Sequence, residues 1–369
     1  MIEIKRIRKK DVQSLLDQQE FWDDSFLSVS RHRLHSHLFN PYADDDDVVL
    51  LLAYLDHEIA GYMGAYIDKI MIDSKEEKIA WLSTWWVHPK TKGSGIGREI
   101  LNTMYEVQKG KIGISQFTPS AKRVYDKSGY FTTLKESTGI KAVLKSDTAH
   151  LVPLLYPKLS FLQSVFALGD RVINLFFGIN LYFKKRVLQE ELQDVKIEYL
   201  RVLDNETEQF IAAHSSNRLS MKDARFFNWL KTTRWVEDAP LLELTDRNKY
   251  EFSMYDRGFE VYLMKIKLNS ACMGFLVVQK RNNVHKLLYA YYDDKNVNIM
   301  AGILKLQAIV QDVREIVCYD NGITAEFRKS SLFLYKRKKL KQSIISKVYG
   351  KTDFGDVVMS FGDGDCSFA

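Results

Sequence analysis

Cysteine is scarce, with Cys272, Cys318 and Cys366 the only three in 369 residues. An odd, scattered set excludes a disulfide framework and favours a reducing compartment. No Cys/His group has the spacing of a zinc site. The acidic tail (361–366, Phe-Gly-Asp-Gly-Asp-Cys) lacks the spaced ligands and twelfth-position Glu of a calcium loop. No metal is expected. The opening Met-Ile-Glu-Ile-Lys-Arg-Ile-Arg has neither the apolar core nor the small-residue cleavage site of a signal peptide and reads as a first strand. A cytoplasmic location is therefore expected. Charge of one sign is not in excess: 53 basic against 47 acidic residues leave +6. That suits an anionic small molecule without demanding nucleic acid. A long uninterrupted apolar run is also missing. The richest stretch, 151–183, is broken by Pro157, Lys158, Asp170 and Arg171 before the ~20 apolar residues of a membrane span accumulate. It is expected to form a buried connector helix pair or a partner-facing surface, such as a homodimer interface. A membrane-surface helix is the alternative.

What is present is a globular composition, 46% apolar and 27% charged, on a chain too long for one ordinary domain. Periodicity and breakers give strands at 2–7, 48–55, 59–67, 79–87, 111–117, 130–134 and 140–144, with helices at 11–19, 21–40, 95–107 and 119–127. A similar order recurs: strands at 197–202, 259–268, 271–280, 285–292, 315–319 and 332–337, and helices at 205–213, 221–231, 296–311 and 323–328. The second half reads as a repeat of the first. The expected organisation is an α/β chain with mixed sheets: domains at 1–146 and 195–369, and a helical connector at 147–194.

The centre of the first half is Trp85 to Leu101, an aromatic strand running through Val87-His88-Pro89 into Lys92-Gly93-Ser94-Gly95-Ile96-Gly97 and a helix. A glycine turn at a helix N-terminus aims backbone N–H groups outward, where the macrodipole favours an anion. Glycine lets the backbone approach phosphate oxygens closely, and Lys90 and Lys92 add charge. The turn is a pyrophosphate cradle. It is neither Gly-x-Gly-x-x-Gly with a distal acid nor Gly-Lys-Ser/Thr, which argues against a dinucleotide fold and a P-loop. The corresponding turn of the second half, 293–298, has two aspartates and no glycine, so it would repel a pyrophosphate.

These residues resemble the GNAT superfamily of acyl-CoA N-acyltransferases. The family's Gln/Arg-x-x-Gly-x-Gly/Ala motif is met by Lys92 through Gly97, with Lys92 where a guanidinium or amide is usual. Its Ala-x-x-x-Tyr-x-x-x-Gly-Phe signature is met by Ala121, Tyr125, Gly129 and Tyr130. The resemblance implies two GNAT-like domains, the second a degenerate repeat without the pyrophosphate loop. It implies acyl-CoA as co-substrate, acetyl or short hydroxyacyl, bound by Trp85, Val87, Lys92, Gly93, Ser94, Gly95, Ile96 and Gly97. It also implies a strand at 82–87 that splays from its neighbour and offers N–H groups to the thioester. The wider pattern looks like tandem-GNAT enzymes of surface polysaccharide synthesis that acylate nucleotide-linked amino sugars, with bacterial enzymes for dTDP-linked 3-amino-3,6-dideoxyhexoses closest in length and texture.

Amide formation from a thioester needs a neutral amine, a stabilised oxyanion and a protonated leaving thiolate. The resemblance puts Tyr125 near the thiolate as general acid. Asp23 is the favoured base, with Ser83 positioning the amine or a water. Asp24, His32, His35 and His37 share the segment arching over the acceptor. Such an enzyme can also work without a strong base. Arg225 and Trp229, four apart on one helix, with Arg234 and Trp235, offer charge and an aromatic platform for the acceptor. The cationic run 328–341 reads either as an acceptor site or as a solvated strand edge. The tail carboxylates either contact the amine or face solvent. Two other functions fit parts of the pattern: acetylation of another small amine or a protein lysine, and a Fem-like aminoacyl transferase or non-catalytic scaffold.

Overall fold

The computed structural model describes residues 2–23, 26–91, 93–233, 259–350 and 352–367. The first half runs β1 (Ile2–Arg8), α1 (Val12–Asp17), α2 (Gln19–Asp23), α3 (Arg31–Leu38), β2 (Val48–Leu55), β3 (Glu58–Ile72), β4 (Lys75–Val87), α4 (Ile96–Val107), β5 (Ile112–Ile114), α5 (Pro119–Ser128) and β6 (Phe131–Val143). Then come α6 (Thr148–Leu155) and the 29-residue α7 (Gln163–Glu191). The second half runs β7 (Val195–Leu200), α8 (Asn205–Ala213), α9 (Ala224–Thr232), β8 (Phe259–Leu268), β9 (Ala271–Arg281), β10 (Val284–Tyr292), α10 (Val297–Val310), β11 (Glu315–Cys318), α11 (Asn321–Lys329) and β12 (Tyr335–Ser346).

All twelve strands join one mixed sheet in the order β1-β2-β3-β4-β5-β12-β6-β11-β10-β9-β8-β7. The order is symmetric about its centre. Each half builds a four-stranded antiparallel meander and adds a short strand in parallel, β5 on β4 and β11 on β10. Each half then passes its last strand to the other: β12 pairs β5, and β6 pairs β11. The two exchanged strands pair antiparallel with each other from Phe131↔Ser346 to Val143↔Tyr335. Two expectations change here. The closing strands at 130–134 and 140–144 are one strand, because the intervening Glu136 to Gly139 stays paired to Leu340 through Gln342 and Lys339. The cationic run is no sheet edge. Lys336, Arg337 and Lys338 are exposed on a strand at the middle of the sheet.

Local chemistry explains the elements around the first cradle. The buried run Val48–Ala53 is apolar on both faces, as an interior strand requires. Ile96, Ile100, Leu101 and Met104 recur at helical spacing and bury α4 on the sheet. Thr118 caps α5 by accepting from Ala121 N at 3.3 Å, Pro119 opens the helix, and Gly129 closes it at φ 73°. Between the halves lies an aromatic core of Tyr42, Tyr66, Trp81, Phe226, Trp229 and Tyr289. The stretch 151–183 is not a buried pair. α6 and most of α7 leave large apolar side chains exposed.

Candidate active site

β4 carries the geometry. It pairs with β5 only at Ala80↔Ile112 and Trp81↔Gly113, and runs on to Val87 without a partner on that side. A bulge at Thr84, with φ 49°, slips the register against β3 between Met63 and Gly64. The slip decides which amides face the gap. Ahead of it, Ala80 N–H donates toward β5, to Lys111 O at 2.9 Å; beyond it, His88 N–H donates to Ala60 O on the β3 side at 2.9 Å. Strand alternation then turns the N–H groups of Trp85 and Val87 into the gap. The second half repeats the device, with β10 leaving β11 after Lys286 and a bulge at Leu288.

The glycine turn sits directly over those amides. Gly93 and Gly95 lie in the left-handed region at φ 91° and 85°, and a Cβ on either would meet open space. Their role is therefore conformational, and it leaves the turn uncovered. Gly97 is needed for contact: a Cβ there would come within 3.2 Å of the Trp85 ring and 3.4 Å of Val87. The first turn of α4 thereby seats on the strand that lines the gap. Ser94 Oγ accepts from Ile96 N at 3.4 Å, and Glu99 N–H closes the first helical bond to Gly95 O at 3.0 Å. The amides ahead of it point out along the axis. Lys90 and Arg98 are exposed beside them. An exposed N-terminus with left-handed glycines and flanking cations fits the pyrophosphate of CoA. Lys92 lies outside the described residues.

On the far side of the gap, Tyr125 is buried with its ring 5.4 Å from that of Trp85. Burial raises its phenol, and the Asp365 carboxylate raises it further. Asp365 comes from the C-terminal tail. Its carboxylate accepts from Ser115 Oγ, just past the end of β5. Gly364, at φ 78°, makes the approach possible, since a Cβ would fall 2.5 Å from that of Ser115. Asp363 is fully buried two residues earlier. Its Oδ2 accepts from Ser360 N at 2.7 Å, while Oδ1 has no partner among the described residues. Burial pushes this carboxyl up to about 6, against the pull of Lys222. Lys222 itself is held by Asp68 at 2.5 Å, and Trp81 Nε1 donates to the same carboxylate at 3.2 Å.

The remaining expected residues divide. Ser83 is buried beside the bulge, and its Oγ accepts from Arg33 Nη2 at 2.6 Å, which joins α3 to β4. His32 and His37 are buried on that helix, and burial holds His37 low, with Arg33 adding to the effect. His35 is exposed and stacks on Phe39; partial burial and Arg31 lower it. Asp23 is exposed at the end of α2 and accepts from Gln19 Nε2 at 2.9 Å; no described contact brings it to Ser83 or Tyr125. Trp229 is buried against Tyr66 and donates to Ser36 O at 3.2 Å, so it ties α9 to α3. Arg225 stays exposed and pairs with Asp223 at 2.7 Å, so the two residues do not share a surface. Asp24, Arg234 and Trp235 lie outside the described residues. Sequence reasoning did not single out Arg33 and Ser115 for the gap, and it left the tail aspartates open between acceptor and solvent. Nothing in the residue types of the tail marked its approach to Ser115.

In the second half, a cleft of about 480 Å³ opens beside β10 and is lined by Lys135, Arg218, Tyr292, Asp294, Tyr319 and Asp320, among others. The turn from β10 to α10, 293–298, carries Asp293 and Asp294 and no glycine.

Residues 3–132 match the family model of the acetyltransferase (GNAT) domain. No curated protein matches the chain. Solved structures with a similar outline include a tandem GNAT protein from the clavulanic acid biosynthesis pathway: 12% identity, 96% of this chain, 100% of that one, TM-score 0.48. Saccharomyces cerevisiae N-myristoyltransferase with bound myristoyl-CoA aligns at 9% identity over 93% of this chain and 82% of its own, TM-score 0.48. A GCN5-related N-acetyltransferase from Anabaena variabilis aligns at 8% over 93% and 72%, TM-score 0.47. These are likenesses of outline alone. The splayed strand and the glycine cradle both lie inside the residues, 3–132, that match the acetyltransferase (GNAT) domain model.

Proposed function

We propose that the chain transfers an acyl group from acyl-CoA to the amine of a nucleotide-linked amino deoxysugar, by direct attack in a ternary complex. The carrying observation is the gap itself, with the cradle at one end, the Trp85 and Val87 amides along one wall and Tyr125 and Asp365 on the other. The first half (1–146) binds acyl-CoA, 147–194 connects, and the second half (195–369) supplies the acceptor's side. A dTDP-linked acceptor and a role in surface polysaccharide synthesis rest on the sequence resemblance.

Gly93 to Gly97 hold the pyrophosphate. The Trp85 and Val87 N–H groups polarise the thioester carbonyl and hold the oxyanion as it forms. Asp365 accepts the amine proton on attack, held in place by Ser115. Tyr125 hydrogen-bonds to the departing sulfur. A thiol of ordinary pKa, about 8.5, is a stronger acid than this phenol, so Tyr125 stabilises the thiolate without giving up its proton completely. Arg33 holds Ser83 at the bulge and so fixes the turn of the strand that aims the amides.

CoA release measured with a panel of amines tests the acceptor. Turnover confined to nucleotide-linked amino sugars supports the reading. Turnover with simple amines or peptide lysines, and none with nucleotide sugars, overturns it.

A further inference from the structure

The α6–α7 hairpin plays no part in the site described above. Its inner side is anchored to protein. Asp170 accepts from Ser146 Oγ at 2.5 Å, Thr148 N at 3.0 Å and Ala149 N at 2.8 Å, and Asn174 bonds the Ser146 backbone. Further on, Leu181 and Leu192 pack into the core beneath α10. Its outer side is bare. Val165, Leu168, Val172, Phe176, Ile179 and Phe183 recur every three or four residues, and Phe176 is 69% exposed and Leu168 62%. Leu175 and Tyr182 widen the stripe, and the tip adds Leu154, Leu155, Tyr156 and Phe161, the last 76% exposed. By length and composition Pro157–Glu191 could cross a membrane, yet only 6% of its most apolar window is buried.

Charge identifies what covers it. Between Thr148 and Gln189 the single acid is Asp170, which is turned inward; the cations are Lys158, Arg171, Lys184, Lys185 and Arg186. We propose that this hairpin docks the protein on an anionic phospholipid surface, with its apolar stripe in the acyl–headgroup boundary and its cations among the headgroups. A stripe about half the helix wide, with an apolar tip, fits an interface better than the narrow seam of a helix pair. A second copy would bring the exposed Lys158, Arg171 and Arg186 against a like set, whereas an anionic leaflet neutralises them, each adding roughly 5-fold to binding. The hydrogen bonds of Asp170 and Asn174 keep the inner side on protein, so the hairpin lies on the bilayer and does not span it. The inference is independent of the acyl-transfer reading.

The test is flotation of the full chain with vesicles of phosphatidylcholine plus phosphatidylglycerol, beside vesicles of phosphatidylcholine alone. Binding to the anionic vesicles is expected, weaker at high salt. It should fall roughly 100-fold when Lys158, Arg171 and Arg186 are all changed to Ser, and disappear in Phe176→Glu/Phe183→Glu. Both variants should keep the thermal unfolding midpoint of the parent, which shows that they fold. No flotation of the parent, or flotation indifferent to both variants, overturns the proposal. So does a dimer in sedimentation equilibrium that Phe176→Glu/Phe183→Glu dissociates without any vesicle binding, which would assign the face to a second copy.

Discussion

In the proposed mechanism Tyr125, Asp365 and Ser115 bear on turnover, and Asp363 bears on stability. Tyr125→Phe removes the hydroxyl opposite the Trp85 ring and leaves the cradle untouched. Turnover should drop by about 10²-fold with CoA affinity unchanged; steady-state kinetics beside a CoA titration separate the two. Asp365→Asn should lower kcat with CoA affinity unchanged, while Ser115→Ala, which only loosens the carboxylate, should do less. Asp363 acts on stability. Its carboxyl titrates at about 6 in the folded chain against 3.8 as a free side chain. The folded state therefore holds this proton more tightly. The stability it contributes is fully present below the unfolded value and is lost as pH rises through 6, by up to about 3 kcal/mol. Unfolding at a series of pH values should show that decline in the parent and a flatter curve in Asp363→Asn; equal slopes would place the titration elsewhere. Tyr125 was legible in the sequence because its motif is local. The acidic tail was not, since nothing in Gly-Asp-Gly-Asp shows that a close backbone approach at Ser115 awaits it.

Elements show the same division. The cradle was readable because a glycine turn between a strand and a helix sets its own conformation, and Gly95 does sit at φ 85°. Gly95→Val strains that conformation by ~1–2 kcal/mol and covers the open turn. CoA binding should weaken by roughly 10-fold or more, with little change in far-UV circular dichroism. The splay of β4 was expected only through the family resemblance, and the bulge at Thr84 that aims its amides has no sequence mark, since Ser83-Thr84 reads as ordinary strand. Periodicity showed α7 as amphipathic but could not say which apolar residues meet protein: Leu181 and Leu188 are buried, while the stripe from Val165 to Phe183 is exposed.

At the scale of the molecule, the repeat was visible and the strand exchange was not. Pairing of β12 with β5 joins residues over 200 positions apart, and hydrophobic alternation carries no record of partner. The exchange has a mechanical consequence. Residues 1–194 expressed alone would leave β5 and β6 without β12, so this half should not fold, whereas the full chain should unfold in one transition by both circular dichroism and tryptophan fluorescence. The exchange also ties the second half to the first, and the tail beyond β12 brings Asp365 to Ser115. The turn at 293–298 has two aspartates and no glycine, so a single cofactor site per chain is expected. Calorimetric titration of CoA into the full-length protein tests this most directly. One CoA should bind per chain, with binding weakened by Gly95→Val and preserved in Tyr125→Phe. Absence of binding, two equivalents per chain, or indifference to Gly95→Val would contradict it.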